Sequence, residues 1–315
     1  MPTVRKLLEK INIGAGFEGE LRYDEPMSLH TTFRVGGPAD AWYRPSGDRS
    51  VEAMAILLKA ARDEGVPVFM LGGGANIVVA DRGIRGVVLD TTGWTGCSFT
   101  DSSVLVRSGT DVDSAADACA ERSLGGLDFL AGMPGTVGGA VWMNARCYGS
   151  SVSDVLQETE ILDEDFRRVP VPFDPAAFSY KRSPFQDRRV LIVSASFRLL
   201  PRSADALREA MRLHRADREA KGHYRLPSAG SSFKNDYAYG KPTGAVVDGL
   251  GLRGLRLGGA QVADWHGNII VNTGNARATD IRGLARLVAD RVREAAGLEL
   301  ETEMLYVGDW DEDEA

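Results

Sequence analysis

The sequence predicts an α+β protein built of more than one lobe, and three observations carry that reading. A chain of 315 residues exceeds what one hydrophobic core usually organises, so two or three lobes are expected. Apolar residues at helical spacing alternate along the chain with short β-branched runs. After Phe197 to Pro201 the pattern gives way to a long charged helical stretch, which marks a boundary between a larger N-terminal part and a smaller C-terminal one. The expected division is residues 1–200, in lobes of about 1–95 and 96–200, then 201–308 and an acidic tail over 309–315.

Taken in order, Asp48 or Ser50 caps a helix in which Val51, Met54, Leu57, Leu58 and Ala61 recur at three and four, and Gly65 with Pro67 ends it. Residues 66–71 read as a buried strand that runs straight into Gly72-Gly73-Gly74, and 77–80 resume the extended pattern. The glycines therefore form a strand-to-loop turn. Strands follow at 87–89 and 104–106, then a helix over about 111–122 and a break at Gly125-Gly126. Residues 160–162 and 190–193 read as strands flanking a proline-rich loop. Beyond the charged helix of about 204–221, strands are expected near Gln261-Val262 and 269–271. A last helix over 279–296 carries Ile281, Leu284, Leu287, Val288 and Val292 on one face, with Gly297 past its end.

Composition bounds the function. The hydrophobic share of 43% supplies ample core, while the net charge of −7 argues against nucleic acid or an anionic membrane as the main partner. An anionic small ligand must then meet local cations. Cys97, Cys119 and Cys147 cannot all pair and lack metal-ligand spacing, so a reducing cytoplasm fits and no metal is inferred. The N-terminus has charges at Arg5, Lys6, Glu9 and Lys10 but no apolar run of a signal peptide, and no segment is long and apolar enough to span a bilayer.

Four segments carry chemistry. Leu71-Gly72-Gly73-Gly74-Ala75-Asn76 lacks the Lys-Ser/Thr of a P-loop and the spacing of a dinucleotide fingerprint, yet it offers successive unobstructed backbone N–H groups that can hold a pyrophosphate. By itself it is equally a tight turn. Gly132-Met133-Pro134-Gly135-Thr136-Val137-Gly138-Gly139 is a second such loop, and two of them suit one large ligand clamped from two sides. Gly230-Ser231-Ser232-Phe233-Lys234-Asn235 sets a serine hydroxyl among small residues, with a cation and an amide shortly after, although Gly, Ser and Asn are also ordinary turn residues. Glu303, in Leu300-Glu301-Thr302-Glu303, would alone read as a solvated strand carboxylate.

In order and spacing these segments resemble the flavin-dependent UDP-N-acetylenolpyruvoylglucosamine reductases, from about Leu29 to Gly308. The resemblance implies a two-lobed FAD-binding domain of the vanillyl-alcohol oxidase type over 1–200 and a substrate-binding domain over 201–308. It implies that NADPH reduces FAD, and that UDP-N-acetyl-3-O-(1-carboxyvinyl)glucosamine is then reduced to UDP-N-acetylmuramate. It assigns FAD contacts to Gly72, Gly73, Gly74, Ala75, Asn76 and Ile77, and to Pro134, Gly135, Thr136 and Gly138. Thr32-Phe33-Arg34-Val35-Gly36-Gly37 resembles the family's lead-in strand, with Arg34 a further FAD contact. By the same resemblance Ser231 is the proton donor, Glu303 the catalytic glutamate, and Tyr180, Lys221, Asn235, His266 and Asn268 contact the sugar nucleotide.

The chain departs from the pattern at two points. Where the family has Tyr-Arg-x-Ser, this chain has Tyr180-Lys181-Arg182-Ser183, and lysine cannot reproduce a planar bidentate clamp on a carboxylate. Where the family commonly has Asn-Ala-Gly-x-Tyr-Gly, this chain has Asn144-Ala145-Arg146-Cys147-Tyr148-Gly149. Either Arg146 supplies the missing guanidinium, or Lys181 serves alone with Arg146 in solvent, or Arg182 acts in a slipped register. The compact run from Tyr180 to Gly230 lacks the family's tyrosine-bearing insertion, as in its shorter type. Two other readings stay open: an FAD oxidase on the same fold, and a catalytically weakened flavin or UDP-sugar binding relative. Oligomeric state is not legible.

Overall fold

The computed structural model describes residues 2–13 and 16–311. Contacts divide the chain into two units of interleaved segments, residues 1–23, 40–73 and 86–216 against 24–39, 74–85 and 217–315. This differs from a single cut near residue 200 for a packing reason. Phe33, Val35 and Val78 are buried in the C-terminal core, while Leu207 and Met211 belong to an N-terminal one.

Among its described residues the first unit has two hydrophobic clusters. In one, Val4, Leu7 and Leu8 of α1 (Pro2–Lys10) pack with Ala53, Met54, Leu57 and Ala61 of α2 (Ser50–Asp63), beside a sheet ordered Gly19–Pro26, Pro38–Pro45, Ile84–Asp90, Val68–Leu71. The helical spacing of the apolar residues is thus realised, but neither expected cap is. Arg49 occupies the N-cap without a side-chain capping bond to the helix backbone, and the Ser50 hydroxyl instead donates to the Gly47 carbonyl at 2.7 Å.

The other cluster lies on an antiparallel sheet ordered Arg168–Pro172, Leu156–Leu162, Leu191–Arg198, Ser103–Arg107, Cys97–Phe99. The stretch expected as a proline-rich loop therefore contains a strand. Pro170 and Pro172 are tolerated because that strand is at the sheet edge, where a missing N–H leaves no inner rung unpaired. Three helices join this sheet: α3 (Val112–Ala120), capped by Asp111 through Ser114 N at 2.8 Å, α4 (Val137–Trp142) and α5 (Ala204–Ala220).

The second unit holds α6 (Thr243–Gly249), α7 (Ala278–Ala296), an antiparallel sheet ordered Arg256–Leu257, Ala260–Val262, Ile270–Asn272, and a parallel pair of Leu305–Val307 with Ile77–Val79. The apolar face of α7 enters the core through Ile281, Leu284, Val288 and Val292, and Gly297 ends the helix at φ 66°. Asp81 satisfies the start of α7 from outside, accepting Ala278 N at 2.9 Å, Thr279 N at 3.1 Å and the Thr279 hydroxyl at 2.9 Å.

Residues 32–37 are not the expected lead-in strand. Arg34 N donates to Thr31 O at 3.1 Å and the Thr31 hydroxyl to Val35 O at 2.9 Å, so the chain turns there and the strand starts at Pro38. In the tail, Asp309 and Asp311 pair with Arg82, while 312–315 lie outside the described residues. No helix among the described residues is long and apolar enough to cross a membrane.

Candidate active site

The two glycine-rich segments meet within the first unit. A Cβ on Gly73 would stand 2.8 Å from the Gly135 Cα, and one on Gly72 would stand 2.5 Å from the Thr136 hydroxyl oxygen. Only glycine allows this backbone approach, and the result is a cradle of bare peptide groups suited to a pyrophosphate. Val112 N donates to Gly135 O at 3.1 Å and Val137 N to Thr110 O at 2.9 Å, which fixes the second segment. Its far half is not loop, as expected, but the first turn of α4, with Thr136 as N-cap. Gly138 is needed there for packing, because a Cβ would come within 2.9 Å of Ser108 Cβ. Pro134 is exposed beside the cradle. The residues present fit an FAD pyrophosphate.

Also in the first unit, Tyr180 and Lys181 form the centre of a tight turn closed by Ser179 N to Arg182 O at 3.2 Å and Arg182 N to Ser179 O at 3.1 Å. Lys181 has φ 59°, a conformation a lysine rarely adopts. The turn is held from below: Asn144 Nδ2 donates to Ser179 O at 2.8 Å, Gln186 Nε2 to Lys181 O at 3.0 Å, and the Ser183 hydroxyl to Trp142 O at 2.7 Å. Arg146 is exposed on the hairpin of Arg146–Cys147 with Ser150–Ser151, two residues beyond the Asn144 that grips the lysine turn. Tyr148 at the hairpin tip stacks on His214 with ring centroids 3.9 Å apart. Arg182 pairs with Asp187 at 2.8 Å, which occupies its guanidinium elsewhere.

In the second unit, Ser231, Asn235, His266 and Asn268 line one cavity of about 230 Å³ with Pro242, Gly244, Asp248 and Arg253. Asn268 builds its floor, accepting Phe233 N at 2.9 Å and donating to Phe233 O at 2.8 Å, while the buried Ser232 hydroxyl accepts Ile270 N at 3.0 Å. Asn235 accepts Thr243 N at 3.0 Å and so fixes the start of α6. Glu303 runs antiparallel beside the serine segment, its N–H donating to Ser232 O at 2.9 Å. Asn76, expected at the flavin, donates from Nδ2 to Glu303 O at 3.0 Å, and Ile77 pairs with Leu305.

Electrostatics favour a neutral His266. Burial lowers its pKa, and Asn268 N donates to its Nδ1 at 3.1 Å, so the ring proton resides on Nε2 as a donor. His223, with ring centroid 6.2 Å from that of His266, is lowered to about 4, by burial first and then by the charge of Arg218. Lys221 pairs with Asp217 at 2.8 Å and is exposed, yet its charge is among those that lower His266. Arg34 is exposed at φ 56°.

Sequence reasoning missed Asp248 and Arg253, which form an ion pair in the cavity wall; Arg253 holds the Asp248 carboxyl below its ordinary range. The two meet only because α6 ends between them, so no spacing rule exposed them. The helix start at Pro242-Thr243-Gly244 was the available signal.

Residues 222–307 match the family model described as UDP-N-acetylenolpyruvoylglucosamine reductase, C-terminal domain, and residues 49–167 match that of an FAD binding domain. The UDP-N-acetylenolpyruvoylglucosamine reductase of Treponema pallidum is 37% identical, with 91% of this chain and 94% of the relative covered. That of Rubrobacter xylanophilus is 39% identical over 91% of this chain and 95% of its own. The crystal structure of the same reductase from Thermus caldophilus is similar with a TM-score of 0.74, at 30% identity and with 92% of this chain and 99% of that one covered. The expected α+β fold with an FAD-binding portion agrees with these likenesses. Likeness at this identity over nearly the whole length, with both family models in their expected places, means that the chain belongs to the UDP-N-acetylenolpyruvoylglucosamine reductases.

Proposed function

We propose that the chain reduces the enol ether of UDP-N-acetyl-3-O-(1-carboxyvinyl)glucosamine to UDP-N-acetylmuramate with NADPH as reductant and FAD as resident cofactor, Ser231 giving the proton. FAD, when bound, supplies hydride transfer from NADPH to the substrate carbon. Gly72, Gly73, Gly135 and Thr136 would hold its pyrophosphate through backbone N–H groups, with Gly74, Ala75, Ile77, Pro134 and Gly138 in the same segments and Arg34 as a further contact. Ser231 protonates the carbon that becomes the lactyl Cα. A serine is a weak acid, so charge that develops on the substrate must be met as the proton leaves. Lys181 and Arg146 offer positive charge to the carboxylate-bearing group, and Glu303 serves as the catalytic carboxyl beside the serine segment. His266 donates from Nε2, with Asn235, Asn268, Tyr180 and Lys221 orienting the sugar nucleotide.

The observation that carries the proposal is the shared cavity. Ser231 faces the same space as Asn235, His266 and Asn268, and the Glu303 peptide is hydrogen-bonded to the next residue of the serine segment. We assign the chain to the cytoplasm, where NADPH is available and the free thiols of Cys97, Cys119 and Cys147 stay reduced. Burial raises the Cys119 thiol to about 12, which makes it an inert core residue.

The test is a purification followed by a flavin spectrum, with NADPH oxidation measured with and without the enolpyruvyl sugar nucleotide. NADPH oxidation that depends on the sugar supports the reading. Oxidation driven by oxygen with release of hydrogen peroxide would make the chain an oxidase instead.

A further inference from the structure

Glu303 sits where its strand changes partner. Before it, Thr302 is bridged antiparallel to Phe233, and Lys234 N donates to Glu301 O at 2.9 Å. After it, Leu305, Tyr306 and Val307 pair in parallel with Ile77, Val78 and Val79. The Glu303 peptide belongs to neither ladder completely. Its N–H is taken by Ser232 O at 2.9 Å, on the serine side. Its carbonyl lies one step short of the parallel ladder, and the Asn76 side-chain amide takes the place of a backbone donor there at 3.0 Å. The Asn76 carbonyl accepts Leu305 N at 3.0 Å, so residue 76 grips the strand on both sides of the buried Met304.

We infer that Asn76 is a positioning residue for Glu303, fixing the peptide from which that carboxylate projects relative to Ser231. The inference rests on the catalytic reading of Glu303. It gives a new role to a residue at the end of the glycine-rich loop: its side chain serves the proton-handling side of the reaction, while the backbone upstream of it serves the cofactor. The physical basis is direct. With the N–H and C=O of Glu303 both held, the Cα–Cβ bond has one direction, whereas loss of the amide removes the Asn76 bond to a part-buried carbonyl and leaves the crossover free to shift.

The experiment separates the half-reactions under anaerobic conditions in Asn76→Ala, Asn76→Asp, Glu303→Gln and the Asn76→Ala/Glu303→Gln double variant. Asn76→Asp keeps the volume of the side chain while placing an acceptor against the Glu303 carbonyl, so it tests the inference even where Asn76→Ala folds poorly. Expected are flavin content and NADPH-dependent flavin reduction close to parental, with reoxidation by the enolpyruvyl sugar nucleotide slowed on the order of 10- to 100-fold, the effect of about 1 Å of misplacement. The double variant is expected to be no slower than Glu303→Gln alone, because a positioning residue has nothing left to position. Flavin lost in proportion to rate, or slowing that multiplies with that of Glu303→Gln, would overturn the inference. If Glu303→Gln itself reoxidises at the parental rate, the catalytic reading of Glu303 fails, and the inference with it.

Discussion

Lys181 occupies a left-handed backbone conformation at φ 59° that costs a residue with a Cβ about 1–3 kcal/mol, and the bonds from Gln186 and Asn144 hold it there. Strain maintained at this price is expected where a side chain must be presented in one direction. Lys181→Gly should therefore keep or raise the denaturation midpoint while slowing sugar-dependent flavin reoxidation; equal loss of stability and activity would make the turn merely structural. Arg146 stands on the neighbouring hairpin, which Tyr148 fastens to α5 by its stack on His214 and by its hydroxyl on His214 O at 2.8 Å. If the guanidinium replaces the one absent at residue 181, Arg146→Gly should slow reoxidation by about 100-fold or more, the effect of one preorganised donor, and Lys181→Arg should partly restore it. An unchanged rate with full flavin content would leave the role to Lys181 alone.

At the scale of elements, the cradle depends on bare backbone. Gly73→Val should release flavin, since its Cβ would press within 2.8 Å of Gly135 Cα; a variant that purifies fully flavin-loaded would show that the contact between loops does not serve the cofactor. α7 depends on Asp81, and Asp81→Ala should lower stability by about 1–2 kcal/mol in a urea titration, as for loss of a helix cap. The long elements were legible because their periodicity is strong: Ile281, Leu284, Val288 and Val292 had only one face on which to lie. What escaped has local causes. The strand Arg168–Pro172 hides behind prolines that only an edge tolerates. The first turn of α4 contains Gly138-Gly139, which signals a loop by propensity and is helical because the backbone must lie against Ser108. The turn over 31–35 is set by the Thr31 hydroxyl, a local bond that competes with strand pairing.

For the molecule as a whole, the motif residues were legible but their assembly was not. Ser231, Asn235, His266 and Asn268 were read separately and share one cavity, whereas neither Asp248 and Arg253 nor the bond from Asn76 to Glu303 O gave a sign in the sequence. Interleaving explains why that bond was hidden, because a loop read by its glycines also contributes a strand to the C-terminal core. The half-buried histidines add a global consequence. His223 is held near 4 when folded and returns to its ordinary value when unfolded, so between about 4 and 6.5 the unfolded chain binds the extra proton. Its contribution to stability is complete above pH 6.5 and is lost as the pH falls toward 4, with a slope of up to about 1.4 kcal/mol per pH unit. Urea midpoints measured from pH 7 to 5 should fall, and less steeply in His223→Gln; parallel curves would contradict it.

On the proposed reading the flavin takes hydride from NADPH in one half-reaction, and the sugar receives hydride and proton together in the other, with Ser231 needed for the second alone. The direct measurement is anaerobic single-turnover kinetics on Ser231→Ala, reducing the flavin with NADPH and then adding the enolpyruvyl sugar nucleotide. The account predicts reduction at close to the parental rate and reoxidation suppressed by orders of magnitude, with flavin content unchanged. Reoxidation at the parental rate, or equal loss in both halves, would contradict it.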